Sequence, residues 1–228
     1  QFKSGDASSW NATRLHAFVG DWCVGGWGGI EATMSLVNDM KTEGMIASNG
    51  LYDNRLYGSV YFKDPFYNDT NTNQMQGYTW DELVNDTYGS PDAKDNTAYF
   101  RKWLPNYVWN NSYVGVNVVL MRYADVLLMY AEALTQGASG SAMTADEAVN
   151  LVRARAGLAP LSGVSHADVM DEKFAELAME WGTRYYDMVR LGNTSELSYD
   201  GRSFSEDKAF LPYPQNQVDL LPGLSVGN

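Results

Sequence analysis

The sequence is poor in cysteine, histidine and basic residues. One cysteine, Cys23, stands in 228 residues, so neither an internal disulfide nor a cysteine-rich metal site is available. The two histidines, His16 and His166, have no partner at metal-ligand spacing. Lys and Arg number 16 against 28 Asp and Glu, a net charge of −12. So acidic a chain neutralises no phosphates, which argues against a nucleic-acid partner and against electrostatic attachment to anionic lipid. No apolar run approaches the roughly 20 residues of a membrane span. There is no Gly-x-Ser-x-Gly, no phosphate-binding glycine loop ending in Lys-Ser/Thr and no Cys–His pairing. No motif implies a cofactor or a metal.

What the chain has in abundance is aromatic side chains: 15 Tyr, 8 Phe and 7 Trp. Half of these 30 lie between Tyr52 and Tyr113, and 11 Asn lie between Asn49 and Asn117. Tyr and Trp are rigid and amphipathic, which suits partly wet recognition surfaces. Asp21 to Ile30 reads DWCVGGWGGI, with glycine at 25, 26, 28 and 29. Glycine permits positive φ and close approach to the backbone. Trp22 and Trp27 are either presented by this loop to a ligand or folded back into the core. The loop does not follow a strand at dinucleotide-binding spacing.

Residues 1 to 20 give a weak helix signal. Glu31 to Met40 predicts a short helix, and Leu51 to Phe62 predicts strand or extended chain broken at Gly58. Asp53-Asn54-Arg55 reads as a structural turn. Lys63 to Asn96 has the composition of a long functional loop. Tyr99 to Trp109 is an aromatic run broken by Pro105.

The second half is helical. In Arg122 to Leu134, RYADVLLMYAEAL, the residues Tyr123, Val126, Leu127, Tyr130, Ala131 and Leu134 form one face at the helical period. Thr144 and Glu147 make a capping box for a helix that buries Ala148, Leu151 and Val152 and stops near Gly157. Ser165 caps a third helix, with Asp168 in its first turn and His166 facing solvent. Its apolar stripe is Met170, Phe174, Leu177, Ala178, Trp181 and Tyr185, with Gly182 inside the pattern. After Gly192 the chain is irregular, and Phe210 to Pro214 is extended.

Five arginines (122, 153, 155, 184 and 190) face Asp125, Glu132, Glu172, Glu176, Glu180 and Asp187. Glu176 and Glu180 lie at i and i+4, a spacing that suits the carboxylate pair of a glycosidase. Arg184, four residues after Glu180, makes a favourable ion pair instead. A proton donor needs a raised pKa, and neighbouring arginine lowers it. The stronger reading is a structural ion-pair network.

Several blocks carry a family resemblance. Arg122 to Leu134 resembles the "RYADVLLMYAEA" block of the SusD/RagB family of surface glycan-binding lipoproteins. Glu147 to Gly157, EAVNLVRARAG, is similar to that family's "N.VRARAG" segment. Glu172 to Gly192 is similar to "ER..EL..EG.R..D..R.G", through Glu172, Glu176, Leu177, Glu180, Gly182, Arg184, Asp187, Arg190 and Gly192. Phe210 to Leu224 resembles the closing "Y.PIP..E...NP.L", and Tyr52 to Leu56 weakly resembles a "DPR" block. The resemblance implies a mainly α fold, a tetratricopeptide-like helical superhelix with long irregular aromatic-rich loops and a few short strands. It implies one SusD/RagB-like C-terminal domain over residues 1–228, the C-terminal half of a longer chain. Within it, residues 1–117 are the loop-rich ligand-binding part, 118–192 the helical scaffold and 193–228 an irregular end.

The resemblance also implies a protein that is not an enzyme. It sits on the outer-membrane surface, lipid-anchored through a segment outside this chain, and delivers oligo- or polysaccharide to a SusC-like TonB-dependent transporter. The matching blocks are scaffold, so candidate ligand contacts come from the aromatic loops: Trp22, Trp27, Tyr67, Tyr78, Trp80 and Trp109. Two other readings remain: a glycoside hydrolase using Glu176 or Glu180, and a helical scaffold that binds protein.

Overall fold

The computed structural model describes residues 13–69, 75, 77–105, 109, 114–115, 117–198, 201–210, 213–221 and 223. Residues 1–12 of the polar lead, and positions 211, 212, 222 and 224 of the closing block, lie outside the described residues. The chain divides into two compact units, one through Met179 and one from Glu180 onward.

The first unit opens with α1 (Leu15–Val19) and a 3-10 turn, Trp22–Val24. Strand β1 (Glu31–Ala32) and α2 (Met34–Asp39) follow, the helix capped by the Thr33 hydroxyl on the backbone N–H of Leu36. Leu51 to Phe62 is not all extended as expected. Asp53 accepts from the backbone N–H of Arg55 and starts α3 (Asn54–Ser59), and only Val60–Phe62 is strand, β2. A single good cap here outweighs the β propensity of the tyrosines. Lys63 to Asn96 is also more regular than its composition predicts. Its 3-10 turn Pro65–Asn68 precedes α4 (Trp80–Tyr88). The Thr79 hydroxyl and the Glu82 carboxylate form a capping box that begins α4, and Gly89 in the left-handed region ends it. A second 3-10 turn, Pro91–Lys94, leads to β3 (Ala98–Phe100). β3 lies between the other two strands, antiparallel to both, with Tyr99 opposite Glu31 on one side and Tyr61 on the other.

This part owns the larger core. Leu56, Val60, Tyr61, Phe62, Tyr67, Trp80, Val84 and Tyr99 are its buried centre. The Tyr67 hydroxyl donates to the carbonyls of Tyr57, at 3.0 Å, and Val60, at 2.5 Å. Its ring meets those of Tyr61, Phe62 and Phe66 edge-on.

Three helices follow: α5 (Tyr123–Thr135), α6 (Ala145–Ala156) and α7 (His166–Glu176). Both expected caps are present, at Thr144 with Glu147 and at Ser165 with Asp168, and Gly157 ends α6 in the left-handed region. Leu127, Leu128 and Ala131 pack with Ala148, Val149, Val152 and Val169. The buried face of α5 is rotated from the expected stripe. Tyr123 and Val126 are exposed, and Leu128 and Glu132 are buried. Glu132 turns inward because Lys173 meets it at 3.2 Å and His166 at 3.6 Å. His166 is accordingly half-buried, not solvent-facing. Leu151 of α6, expected inside, is exposed.

The third stripe does not run through to Tyr185. α7 ends at Glu176, and Met179 takes a positive φ of 65°. The carbonyls released there are claimed from outside the helix. Lys102 donates to the carbonyls of Glu176 and Ala178, and the Trp103 indole donates to that of Met179 at 2.9 Å. Donors drawn to a helix C-terminus satisfy the orphan carbonyls and fix where the helix stops.

The second unit contains α8 (Thr183–Leu191), entered through positive φ at Trp181 and Gly182, and α9 (Gln215–Leu220). Arg184 pairs with Glu196, and Arg190 meets Asp187 at 2.7 Å. Tyr67→Phe removes a doubly bonded buried hydroxyl. It is expected to cost about 1 kcal/mol, read as a lower urea midpoint at unchanged slope. An unchanged midpoint would show that those bonds contribute nothing net.

Candidate functional site

The glycine-rich stretch folds back on the residues that precede it. The N–H of Gly26 donates to Asp21 O at 2.8 Å, that of Trp27 to Ala17 O at 2.8 Å and that of Gly28 to Gly20 O at 3.0 Å. A Cβ at Gly26 would sit 2.0 Å from the carbonyl oxygen of Gly20, so only glycine lets the two strands of the loop touch. Asp21 anchors the turn from inside. It is buried and accepts from the backbone N–H of Cys23 and, at 2.6 Å, from the hydroxyl of Tyr88 at the end of α4. Burial, and then Asp21, push the Cys23 thiol far up, so it is no nucleophile.

On this frame stand three exposed aromatic side chains. Trp22 is 62% exposed, Trp27 40% and Phe18 49%. The Trp22 indole lies against the backbone at Gly28, and the Phe18 ring against that at Gly29. Phe18 was not among the residues expected from sequence. It sits in a weakly patterned helix, and only the close pass of Gly29 marks it. Tyr78, 48% exposed, stands just before α4 and exchanges backbone hydrogen bonds with Met75. Asp21 meets the last residue of α4 and Tyr78 precedes its first. The nine residues of α4, about 13 Å of helix axis, run between the turn at Tyr78 and the Tyr88 that Asp21 meets.

The other three expected contacts are corrected by their positions. Tyr67 and Trp80 are fully buried, and Trp80 stacks on Tyr99 with ring centroids 5.7 Å apart. Trp109 is buried edge-on against His16 at 4.5 Å, beneath Gly25. A large aromatic buries more apolar area than any other side chain, and a small three-stranded sheet needs such residues for its core. These rings support the loops and present no face to a ligand.

The carboxylates weighed for catalysis are engaged elsewhere. Glu176 accepts from Arg122 at 2.6 Å and from Arg155 at 2.5 Å, and Arg55 lies 3.5 Å away. Glu172 accepts from Arg55 at 2.5 Å and Arg153 at 3.0 Å. Arg55 also grips Asp53, and Arg153 also grips Glu43. Burial pushes the Glu176 carboxyl up, but Arg122 and Arg155 outweigh it and hold the pKa below the ordinary value of 4.5. That is the opposite of what a proton donor at neutral pH requires. Glu180 belongs to the second unit. Among the described residues no group of three or more His, Cys, Asp or Glu is placed to hold a metal ion, and no helix is long and apolar enough to cross a membrane.

The sequence profile of the SusD family matches residues 2–228. The chain belongs to the SusD family. Solved structures agree. Surface glycan-binding protein A from Bacteroides uniformis is 26% identical, with a TM-score of 0.62 over 88% of this chain and 41% of that one. A SusD superfamily protein from Bacteroides vulgatus is 24% identical, with a TM-score of 0.66 over 88% and 44%. Surface glycan-binding protein A from Bacteroides thetaiotaomicron, in complex with laminarihexaose, is 22% identical, with a TM-score of 0.61 over 99% and 45%. The chain spans less than half the length of these solved structures. No curated protein matches it. The mainly α class with a few short strands is the one expected, and a tetratricopeptide-like superhelix is consistent with these neighbours.

Replacing Glu176 by Gln is expected to cost about 3 kcal/mol at neutral pH, because it strips charge from a buried cluster. A carboxylate with a depressed native pKa stabilises the fold above its unfolded pKa and stops doing so as pH falls through its native value. The melting-temperature gap between the parent chain and Glu176→Gln is therefore expected to be constant near neutrality and to narrow below about pH 4.5. A gap that widens on acidification would refute this account.

Proposed function

We propose that this SusD-family chain binds glycan at the outer-membrane surface and helps to deliver it to a SusC-like TonB-dependent transporter. The observation that carries the reading is the pair Trp22 and Trp27, exposed on a loop whose backbone is pinned by its own hydrogen bonds. A sugar ring has an apolar C–H face and a polar edge. The face stacks on an aromatic ring, and nearby polar groups take the hydroxyls. A ring held in place loses little freedom on binding, so less of the contact energy is spent on ordering. Such capture needs no proton transfer and no cofactor, in keeping with the engaged state of Glu172 and Glu176.

Membership of the family supports the reading, as does the similarity to surface glycan-binding protein A. The ligand side falls to Trp22, Trp27, Phe18 and Tyr78, within the loop-rich part through residue 117. The helical part from residue 118 acts as scaffold. Attachment to the membrane is through a lipid anchor.

Affinity electrophoresis in gels cast with single polysaccharides, laminarin among them, tests the reading. One glycan is expected to retard the chain. Trp27→Ala is expected to reduce that retardation several-fold with little change in melting temperature. Unchanged retention together with a large fall in melting temperature would move Trp27 to a structural role. Co-purification of the membrane-anchored protein with a transporter tests the delivery step.

A further inference from the structure

The contact between Gly28 and Trp22 is closer than any side chain other than hydrogen would allow. A Cβ built on Gly28 falls 2.2 Å from Nε1 of Trp22, 2.4 Å from Cδ1 and 3.0 Å from Cε2. All three atoms belong to the five-membered ring of the indole. The backbone at Gly28 therefore seats one side of the ring, while the residue as a whole stays 62% exposed. The seat itself is fixed, because the N–H of Gly28 is bonded to Gly20 O. Gly28 also has a φ of 63°, in the left-handed region that favours glycine.

We propose that Gly28 is a positioning residue for glycan capture: its bare α-carbon holds the Trp22 indole with one side covered and the other presented to the sugar. This rests on the reading of Trp22 as a ligand contact. It goes beyond that reading in naming what orients the ring. A tryptophan free on an open loop would sample several rotamers and lose that freedom on binding. A ring already resting on backbone presents its outer face before the ligand arrives. The site is then preorganised for a flat apolar face.

Gly44 supplies the control. It too has positive φ, 82°, but nothing lies within 4 Å of a Cβ built there. Gly44→Ala carries the same kind of backbone strain without the collision. Four variants are compared with the parent chain: Gly28→Ala, Gly44→Ala, Trp22→Ala and the double variant Gly28→Ala/Trp22→Ala. Retention is read in laminarin gels and melting temperature by circular dichroism. Gly28→Ala is expected to lose retention as severely as Trp22→Ala, about tenfold in apparent affinity, with Gly44→Ala retained like the parent. The melting-temperature loss from Gly28→Ala is expected to be larger with Trp22 present than in the Trp22→Ala background, where the collision is gone and the strain remains. That second comparison needs no ligand, and it decides even where Gly28→Ala alone folds poorly.

Equal losses in both backgrounds would overturn the seat. Parent-like retention by Gly28→Ala, with retention lost in Trp22→Ala, would overturn the positioning role and leave glycan capture standing. Parent-like retention by Trp22→Ala would instead refute Trp22 as the contact, whatever the melting data show. A parent chain that laminarin does not retard would refute capture of this glucan.

Discussion

The first unit depends on a buried knot of opposite charges. Arg55 binds Asp53 beside it and Glu172 on α7, and Arg153 of α6 binds the other oxygen of Glu172. Arg122 and Arg155 converge on Glu176. Ions taken out of water this way contribute little net stability, because desolvation offsets most of the attraction, but removing one partner strands the others. The knot therefore acts as a geometric constraint. It fixes where α7 lies against α3, α5 and α6, and Arg122 also reaches the Glu176 carbonyl at the helix end. Lys102 and Trp103 hold the carbonyls of Ala178 and Met179 just beyond it. Placing α7 in this way ties the helical part to the aromatic, loop-rich part.

Features governed by neighbours in sequence were the legible ones. Thr144 with Glu147 and Ser165 with Asp168 began helices where the spacing said they should, and Gly157 ended one. The ion-pair character of Glu172 and Glu176 could be read from the crowd of arginines around them, although Arg55, which meets Glu172 at 2.5 Å, was visible only as part of a turn. The family resemblance was carried by the same helical blocks, and the profile match extends it over nearly the whole chain. A further cap, Thr79-Trp80-Asp81-Glu82, has the same spacing as the box at Thr144 but is masked by a stretch dominated by loop residues.

Burial was far less legible, because tertiary neighbours decide it. Trp80 and Tyr67 share the loop-like surroundings that made Tyr78 a candidate, yet both lie inside the three-stranded core. Tyrosine and tryptophan serve equally as core and as recognition surface, and composition does not separate the two uses. The rotation of α5 has the same origin. Glu132 lies off the apolar stripe of α5, and its partners are not the arginines but Lys173 and His166, from another helix. At the glycine loop the sequence showed Trp22 and Trp27 but not Phe18, whose position depends on a backbone passing beneath its ring.

The two oxygens of Glu172 have different histories in the assembly of the fold. Arg153 is 19 residues away along the chain and Arg55 is 117. Closing the longer loop costs more chain entropy by the logarithm of that ratio, about 1.6 kcal/mol. The short-range bond is thus the cheaper to make, and it orients the carboxylate for the distant guanidinium. Glu172 works as a latch with an early and a late catch, and the late one registers that the two parts of the unit have met.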